Sequence, residues 1–164
     1  MMTLVVGRPG SGKSKLAEDI VLELSKGQRR IYIATMIPFG EDGQRRIERH
    51  RKLREGKGFE TVECPVDLYS ISGLEGSVCL LECVSNLVGN EMHEEEKTTW
   101  SARKVADFVF EEILDVKERA SEIVVVTNEF EEEEGFDEET LRYIEITGLV
   151  NEKLKAAADR VVEV

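Results

Sequence analysis

Residues 5–20 read VVGRPGSGKSKLAEDI. An apolar run, Leu4–Val6, gives way to Gly7, Arg8, Pro9, Gly10, Ser11, Gly12, Lys13 and Ser14, which fit the phosphate-loop spacing G-x-x-x-x-G-K-S. A loop that leaves a buried strand and enters a helix points successive backbone N–H groups, and the positive end of the helix dipole, at one small volume. A polyphosphate fills such a volume. The glycines let the backbone wrap closely, Lys13 reaches the outer phosphates, and the Ser14 hydroxyl is placed to ligate Mg²⁺. The plainer alternative is a glycine-rich turn with an incidental Lys-Ser; the strand before it and the amphipathic stretch after it argue for nucleotide binding.

Outward from this loop, the 164 residues, 41% hydrophobic, suffice for one substantial core, and residues 1–164 are expected to form a single domain. The formal net charge of −12 opposes nucleic acid or an anionic membrane as general partners. An anionic ligand must therefore be captured by a local basic site. Cys64, Cys79 and Cys83 make no C-x-x-C pair and are odd in number, which disfavours a disulfide framework or a zinc site. No apolar run approaches the roughly 18 residues that span a bilayer, and no signal-like segment opens the chain. A cytoplasmic protein is expected.

Further apolar runs at Ile31–Ala34, Val78–Leu81, Ile123–Val126 and Val161–Val164 read as strands. Ala102, Val105, Ala106, Val109 and Ile113 recur at helical spacing, and Leu141, Ile144, Leu149 and Leu154 do so less cleanly. Continuously apolar strands alternating with helices predict an α/β fold of the phosphate-loop type, its mostly parallel sheet covered on both faces. Ligand is expected beyond the carboxyl ends of the strands. Residues 37–44, 89–98 and 130–138 read as loops. The acidic runs in the last two read as solvated charge, with a Mg²⁺ role as the alternative.

Residues 44–57, QRRIERHRKLREGK, form a basic island of five Arg and two Lys against Glu48 and Glu55. As a helix, this segment aligns Ile47, His50, Leu53 and Arg54 in one stripe, with Arg46 a turn before His50 and Arg54 a turn after. One reading is an ordinary soluble surface with Glu48 and Lys52 paired. The other gathers phosphate oxygens with Arg51, Lys52 and Arg54 around an imidazole nucleophile, His50. His93, beside Glu94–Glu96, is the poorer candidate. Glu82, closing the apolar run VCLLE, stands where a phosphate-loop enzyme keeps a carboxylate for Mg²⁺. A surface glutamate at a strand end is the alternative.

These segments in this order, VVGRPGSGKS, IYIAT, RRIERHRKLR, TVECP, LLECVSNLVGN, VVVTNE and GLVNEKLKAAADRVVEV, resemble the bifunctional adenosylcobinamide kinase / adenosylcobinamide-phosphate guanylyltransferase family of cobalamin biosynthesis. The resemblance runs over nearly the whole chain. The phosphate loop is common to many NTPases; YIAT, RI-x-x-HR and T-x-E-x-P together are more specific. The resemblance implies a RecA-like, phosphate-loop NTPase domain that assembles as a homotrimer. It also implies phosphorylation of the aminopropanol hydroxyl of adenosylcobinamide by ATP or GTP. A histidine, here His50, then takes GMP from GTP and passes it to adenosylcobinamide phosphate. By the same match, Gly7 to Ser14 hold the triphosphate; Ala34, Thr35 and Met36 line the nucleotide site; Arg51, Lys52, Leu53 and Arg54 contact GTP; and Glu63 and Glu82 are acidic binding positions.

The chain departs from the family pattern at residues 130–140, FEEEEGFDEET, where relatives carry a glycine-containing loop ending in proline. Phe59 stands where Trp is usual, which keeps a stacking surface. The chain stops at Val164 where relatives continue, an expected cost to subunit packing or to one activity. Two other readings are weighed: a kinase of small molecules or nucleotides in which His50 is structural, and a RecA-like nucleotide-binding regulator, against which the acidic balance counts.

Overall fold

A computed structural model describes residues 1–37, 40–131 and 133–164. Its centre is a sheet of six parallel strands in the order β3-β2-β4-β5-β1-β6. The strands are β1 (Met2–Gly7), β2 (Arg29–Ala34), β3 (Phe59–Glu63), β4 (Ser77–Glu82), β5 (Glu122–Asn128) and β6 (Arg160–Glu163). The helices are α1 (Lys13–Ser25), α2 (Gly40–Arg54), α3 (Val84–Met92), α4 (Ala102–Arg119) and α5 (Glu138–Ala157).

The central strands carry continuous apolar runs, Leu4–Val6, Ile31–Ala34, Val78–Leu81 and Ile123–Val126, because both faces of the sheet are covered there. Leu4, Val6, Ile31, Ile33, Cys79, Leu81, Ile123 and Val125 face the core shared with α3, α4 and α5. The alternate residues Val5, Tyr32, Val78, Leu80, Val124 and Val126 pack with Ala17, Ile20 and Val21 of α1. All three cysteines are buried and free, and no helix of the described residues is long and apolar enough to cross a membrane.

Four sequence expectations need correction. The strands are not all continuously apolar: β3, FETVE, for which no element was expected, is an edge strand whose residues stay partly or fully exposed, and it pairs with β2 alone. Residues 40–44 open α2 and residues 89–92 finish α3, so neither is loop; Pro38, Phe39 and Glu132, which also fell in expected loops, lie outside the described residues. In α5 the buried face is Ile146, Thr147, Val150, Asn151 and Leu154, while Leu141 is exposed. In α2, Leu53 is exposed and leaves the stripe of Ile47, His50 and Arg54.

On the α4 side the core contains acid. Glu112 and Glu91 are essentially inaccessible. Glu112 Oε1 accepts from the Leu68 backbone N–H (2.8 Å), Glu91 Oε2 accepts from that of Asp67 (3.2 Å), and Lys97 Nζ lies 3.3 Å from Glu91 Oε1. Burial first, and then the neighbouring Glu91 carboxyl, push Glu112 up to about 10. The folded chain therefore keeps a proton that the unfolded chain releases above the ordinary value of 4.5. This contribution to stability is complete below that value and is lost as pH rises toward 10. Urea unfolding at pH 6 and pH 9 should show the loss in the wild type and a flatter dependence in Glu112→Gln. Equal slopes in the two proteins would refute the assignment.

Candidate active site

Every strand from β1 to β5 ends at one edge of the sheet, and the register sets which residues meet there. Glu63, Ala34, Glu82 and Val126 are successive partners across β3, β2, β4 and β5, and Gly7 is opposite Asn128. A cavity of about 410 Å³ opens above this row.

One wall is the loop between β1 and α1. Gly10 (φ 79°) and Gly12 (φ 84°) adopt the left-handed conformation that side-chain-bearing residues resist, which turns the chain into the start of α1. Pro9, Gly10, Lys13 and Ser14 line the cavity. Lys13, only 8% exposed, donates to the Arg8 carbonyl oxygen at 3.1 Å. Burial pulls its ammonium below the ordinary lysine value, opposed in part by Glu82. Gly7, Arg8, Ser11 and Gly12 supply the backbone of the turn without lining the cavity, and the Arg8 guanidinium pairs with Glu131 at the surface.

Glu82 is the junction of the site. It is 9% exposed; its Oε2 accepts from Ser14 Oγ (2.6 Å) and lies 3.4 Å from His50 Nδ1, while its Oε1 has no partner among the described residues. The imidazole from α2 and the serine that opens α1 thus touch the same carboxylate. Two oxygen donors, one on a buried carboxylate with an unused oxygen, suit a small hard cation that draws its remaining ligands from phosphate and water. Among the described residues no group of three or more His, Cys, Asp or Glu forms a metal site.

Helix α2 forms the opposite wall through Arg46, Ile47, Arg49, His50, Arg51 and Arg54. Arg51 Nη2 donates to Glu63 Oε1 across the rim (3.2 Å). Arg54 is 7% exposed, stacks its guanidinium 3.5 Å from the Tyr32 ring centroid, and leaves Nε and Nη1 unpartnered among the described residues. A buried guanidinium with unused donors is strongly favourable to an anion. The lining carries five cationic side chains, Lys13 and four Arg, against Glu63 and Glu82, so a chain of net charge −12 concentrates positive charge here. Lys57, 3.5 Å from the buried Glu18 of α1, ties the end of the basic segment to the helix behind the phosphate loop.

Of the other positions singled out from sequence, Ala34, Met36, Glu63 and Glu82 line the cavity. Thr35 is fully buried beneath it: its hydroxyl donates toward the Glu82 and Cys83 carbonyls and accepts from the Cys83 N–H (2.9 Å), which fixes the end of β4. Lys52 and Leu53 do not line the cavity, since the helix turns them away from the face of His50 and Arg54. Tyr32, Arg46, Arg49, Thr61, Asn86 and Asn128 line it without having been proposed as site residues. Asn128 was within reach of the same logic as Glu82, being the polar residue that closes an apolar strand. Its Nδ2 donates to Ser85 Oγ (2.7 Å) and its Oδ1 is unpartnered among the described residues.

A family model described as cobinamide kinase / cobinamide phosphate guanyltransferase matches residues 3–164. No curated protein matches the sequence. Among solved structures, one titled as a unique ATP synthase subunit, NeqB, from Nanoarcheaum equitans is similar with a TM-score of 0.52 and 11% identity. The match covers 91% of this chain and 43% of that one, so the present chain spans less than half of its length. At this identity the likeness concerns the fold, a parallel phosphate-loop type of α/β sheet.

Proposed function

Because the chain belongs to the cobinamide kinase / cobinamide phosphate guanyltransferase family, we propose that the cavity above the strand ends carries both reactions through the residues just described. Members of that family are kinase and guanylyltransferase enzymes of cobalamin biosynthesis. The observation that carries the assignment of roles is the Glu82 carboxylate, which meets Ser14 at 2.6 Å and His50 at 3.4 Å. It supports a nucleophile and a triphosphate cradle in one chain and one cavity.

In the kinase step the phosphate loop and Lys13 hold the triphosphate of ATP or GTP, and the cobinamide hydroxyl attacks the γ-phosphorus. The new O–P bond forms as the bridge to the β-phosphate breaks; the hydroxyl proton leaves to solvent, and the nucleoside diphosphate departs against Lys13 and the loop N–H groups. Mg²⁺, held by Ser14 and Glu82, would neutralise charge on the phosphate oxygens when bound.

In the guanylyl step His50 attacks the α-phosphorus of GTP. With Nδ1 turned to Glu82, Nε2 is the free nitrogen. An N–P bond forms, pyrophosphate leaves, and Arg51 and Arg54 balance the oxygens around phosphorus. A phosphate oxygen of cobinamide phosphate then displaces the imidazole, breaking N–P and forming the diphosphate. Glu82 orients the ring and offsets the positive charge it carries while bonded. Adenosylated substrates and a homotrimeric assembly belong to the same reading, on the resemblance set out from the sequence, and a cytoplasmic location joins them on the cysteine usage and the want of a long apolar run.

Incubation with α-labelled GTP and Mg²⁺ tests it. An acid-labile, base-stable GMP adduct on His50 is expected; label transferred only from the γ-position would leave a kinase alone. Glu82→Gln keeps the shape of the junction and removes its charge. Both adduct formation and phosphoryl transfer should fall about 10–100-fold. Wild-type rates in this variant would remove Glu82 from the mechanism.

A further inference from the structure

Beyond the end of β5 a second cavity, of about 210 Å³, lies between the connection leaving that strand and the middle of α5. Asn128, Phe130, Ile144, Thr147 and Gly148 are among its walls, and Asn128 is the residue it shares with the nucleotide cavity.

Two of its polar groups are left unused by the fold. Thr147 is 1% exposed, yet its hydroxyl has no hydrogen-bond partner among the described residues, and neither has Asn128 Oδ1. A buried polar group without a partner costs about 1–3 kcal/mol. The adjacent Asn151 is satisfied, accepting from Thr127 Oγ1 (2.6 Å) and donating to the Asn128 carbonyl (3.0 Å). The spare capacity is thus a hydroxyl and an amide oxygen.

Gly148 makes the same point from the helix. Glycine within a helix costs about 1 kcal/mol relative to alanine, and a Cβ at this position would meet nothing within 4 Å. The fold does not demand a glycine here. Its absent side chain leaves the solvent-exposed α5 backbone bare at the rim of the cavity.

The charges around the cavity select the kind of occupant. Lys155 and Glu129 pair with each other at 2.9 Å, and Glu152 adds negative charge. No free cation therefore awaits a phosphate among the described lining residues, and the free hydroxyl and amide oxygen suit a neutral hydroxyl or carboxamide. Location supplies the rest: Asn128 is registered with Gly7, and the Glu129 N–H donates to the Gly7 carbonyl at 3.0 Å. A group seated in this cavity and extending past Asn128 arrives at the start of the phosphate loop.

We infer that this cavity seats the neutral amide portion of the cobinamide acceptor's arm during phosphorylation, with the Thr147 hydroxyl and the Asn128 side chain as its hydrogen-bond partners and the arm's reacting hydroxyl extending past Asn128 toward the phosphate loop. The inference rests on the proposed kinase reaction and adds to it the place where the acceptor binds. Gly148→Leu fills the space from a position where leucine favours the helix, and Thr147→Val removes the hydroxyl. With the full chain, γ-labelled NTP and cobinamide, Gly148→Leu should raise the acceptor KM about tenfold or more, and Thr147→Val about three- to tenfold. The KM for NTP and the GMP adduct formed from GTP without acceptor should not move. Unchanged acceptor KM in both variants overturns the inference while leaving the kinase reading intact. If the wild type transfers no phosphoryl group, the kinase reading fails by itself. Equilibrium dialysis of cobinamide then still reads the cavity: weaker binding to Gly148→Leu than to wild type supports it, and equal binding overturns it.

Discussion

His50→Ala should abolish the GMP adduct from α-labelled GTP, lowering guanylyl transfer by about 10³-fold or more, while phosphorylation of cobinamide stays within a few fold of wild type. The split between the two activities is the informative part. His50 is 29% exposed on α2, and alanine is the better helix former, so the fold has little to lose. The cationic wall of Arg46, Arg49, Arg51 and Arg54 remains in the variant. On the proposed mechanism, what disappears is the nitrogen that would bond to phosphorus and the cation that Glu82 would balance. Kinase chemistry, which needs positioning and charge but no protein nucleophile, has no use for the ring. If wild type and variant label alike, the nucleophile lies elsewhere and α2 is only an anion-binding wall. If both activities collapse together, His50 holds Glu82 in place and acts through it.

How far these roles could be read from sequence varies with the residue. The phosphate loop was legible because its chemistry is local: turn, cradle and helix start lie within eight consecutive residues. Strands β1, β2, β4 and β5 were legible because burial on both faces leaves each with an apolar run of three or more residues. β3 was not, since an edge strand half open to water carries Glu60, Thr61 and Glu63 as readily as a loop does. The α5 face was misread for a related reason. Its buried stripe includes Thr147 and Asn151, which counting apolar residues passes over, while Leu141 is exposed on the other side. The closeness of His50 and Glu82 was beyond local patterns altogether. It depends on β2 and β4 being neighbours, so that the helix leaving β2 hangs over the end of β4. Sequence proposed both residues for separate reasons, and only the topology makes them one site.

Lys13→Ala should lower both activities, each by about 10²–10³-fold, because one cavity contains Lys13 and His50. In the proposed kinase step the ammonium would face the β-phosphate that departs with the diphosphate. In the guanylyl step the departing group is pyrophosphate, made of the same β and γ phosphates in the same cradle. Burial lowers the Lys13 pKa in the free chain, and an arriving triphosphate favours the charged form again, so the cation is strongest when the leaving group needs it. The variant also deprives the Arg8 carbonyl of its 3.1 Å donor, and Lys13→Arg controls for that loss of loop order by restoring charge without the ammonium geometry. Rates with γ- and α-labelled nucleotide, measured on the same preparations, decide the matter. A parallel fall means a single triphosphate seat serves both reactions in turn, so that cobinamide phosphate must wait for the diphosphate to leave and GTP to enter. A collapse of phosphoryl transfer with guanylylation untouched would mean that GTP meets His50 from another direction, and the shared cradle would have to be abandoned.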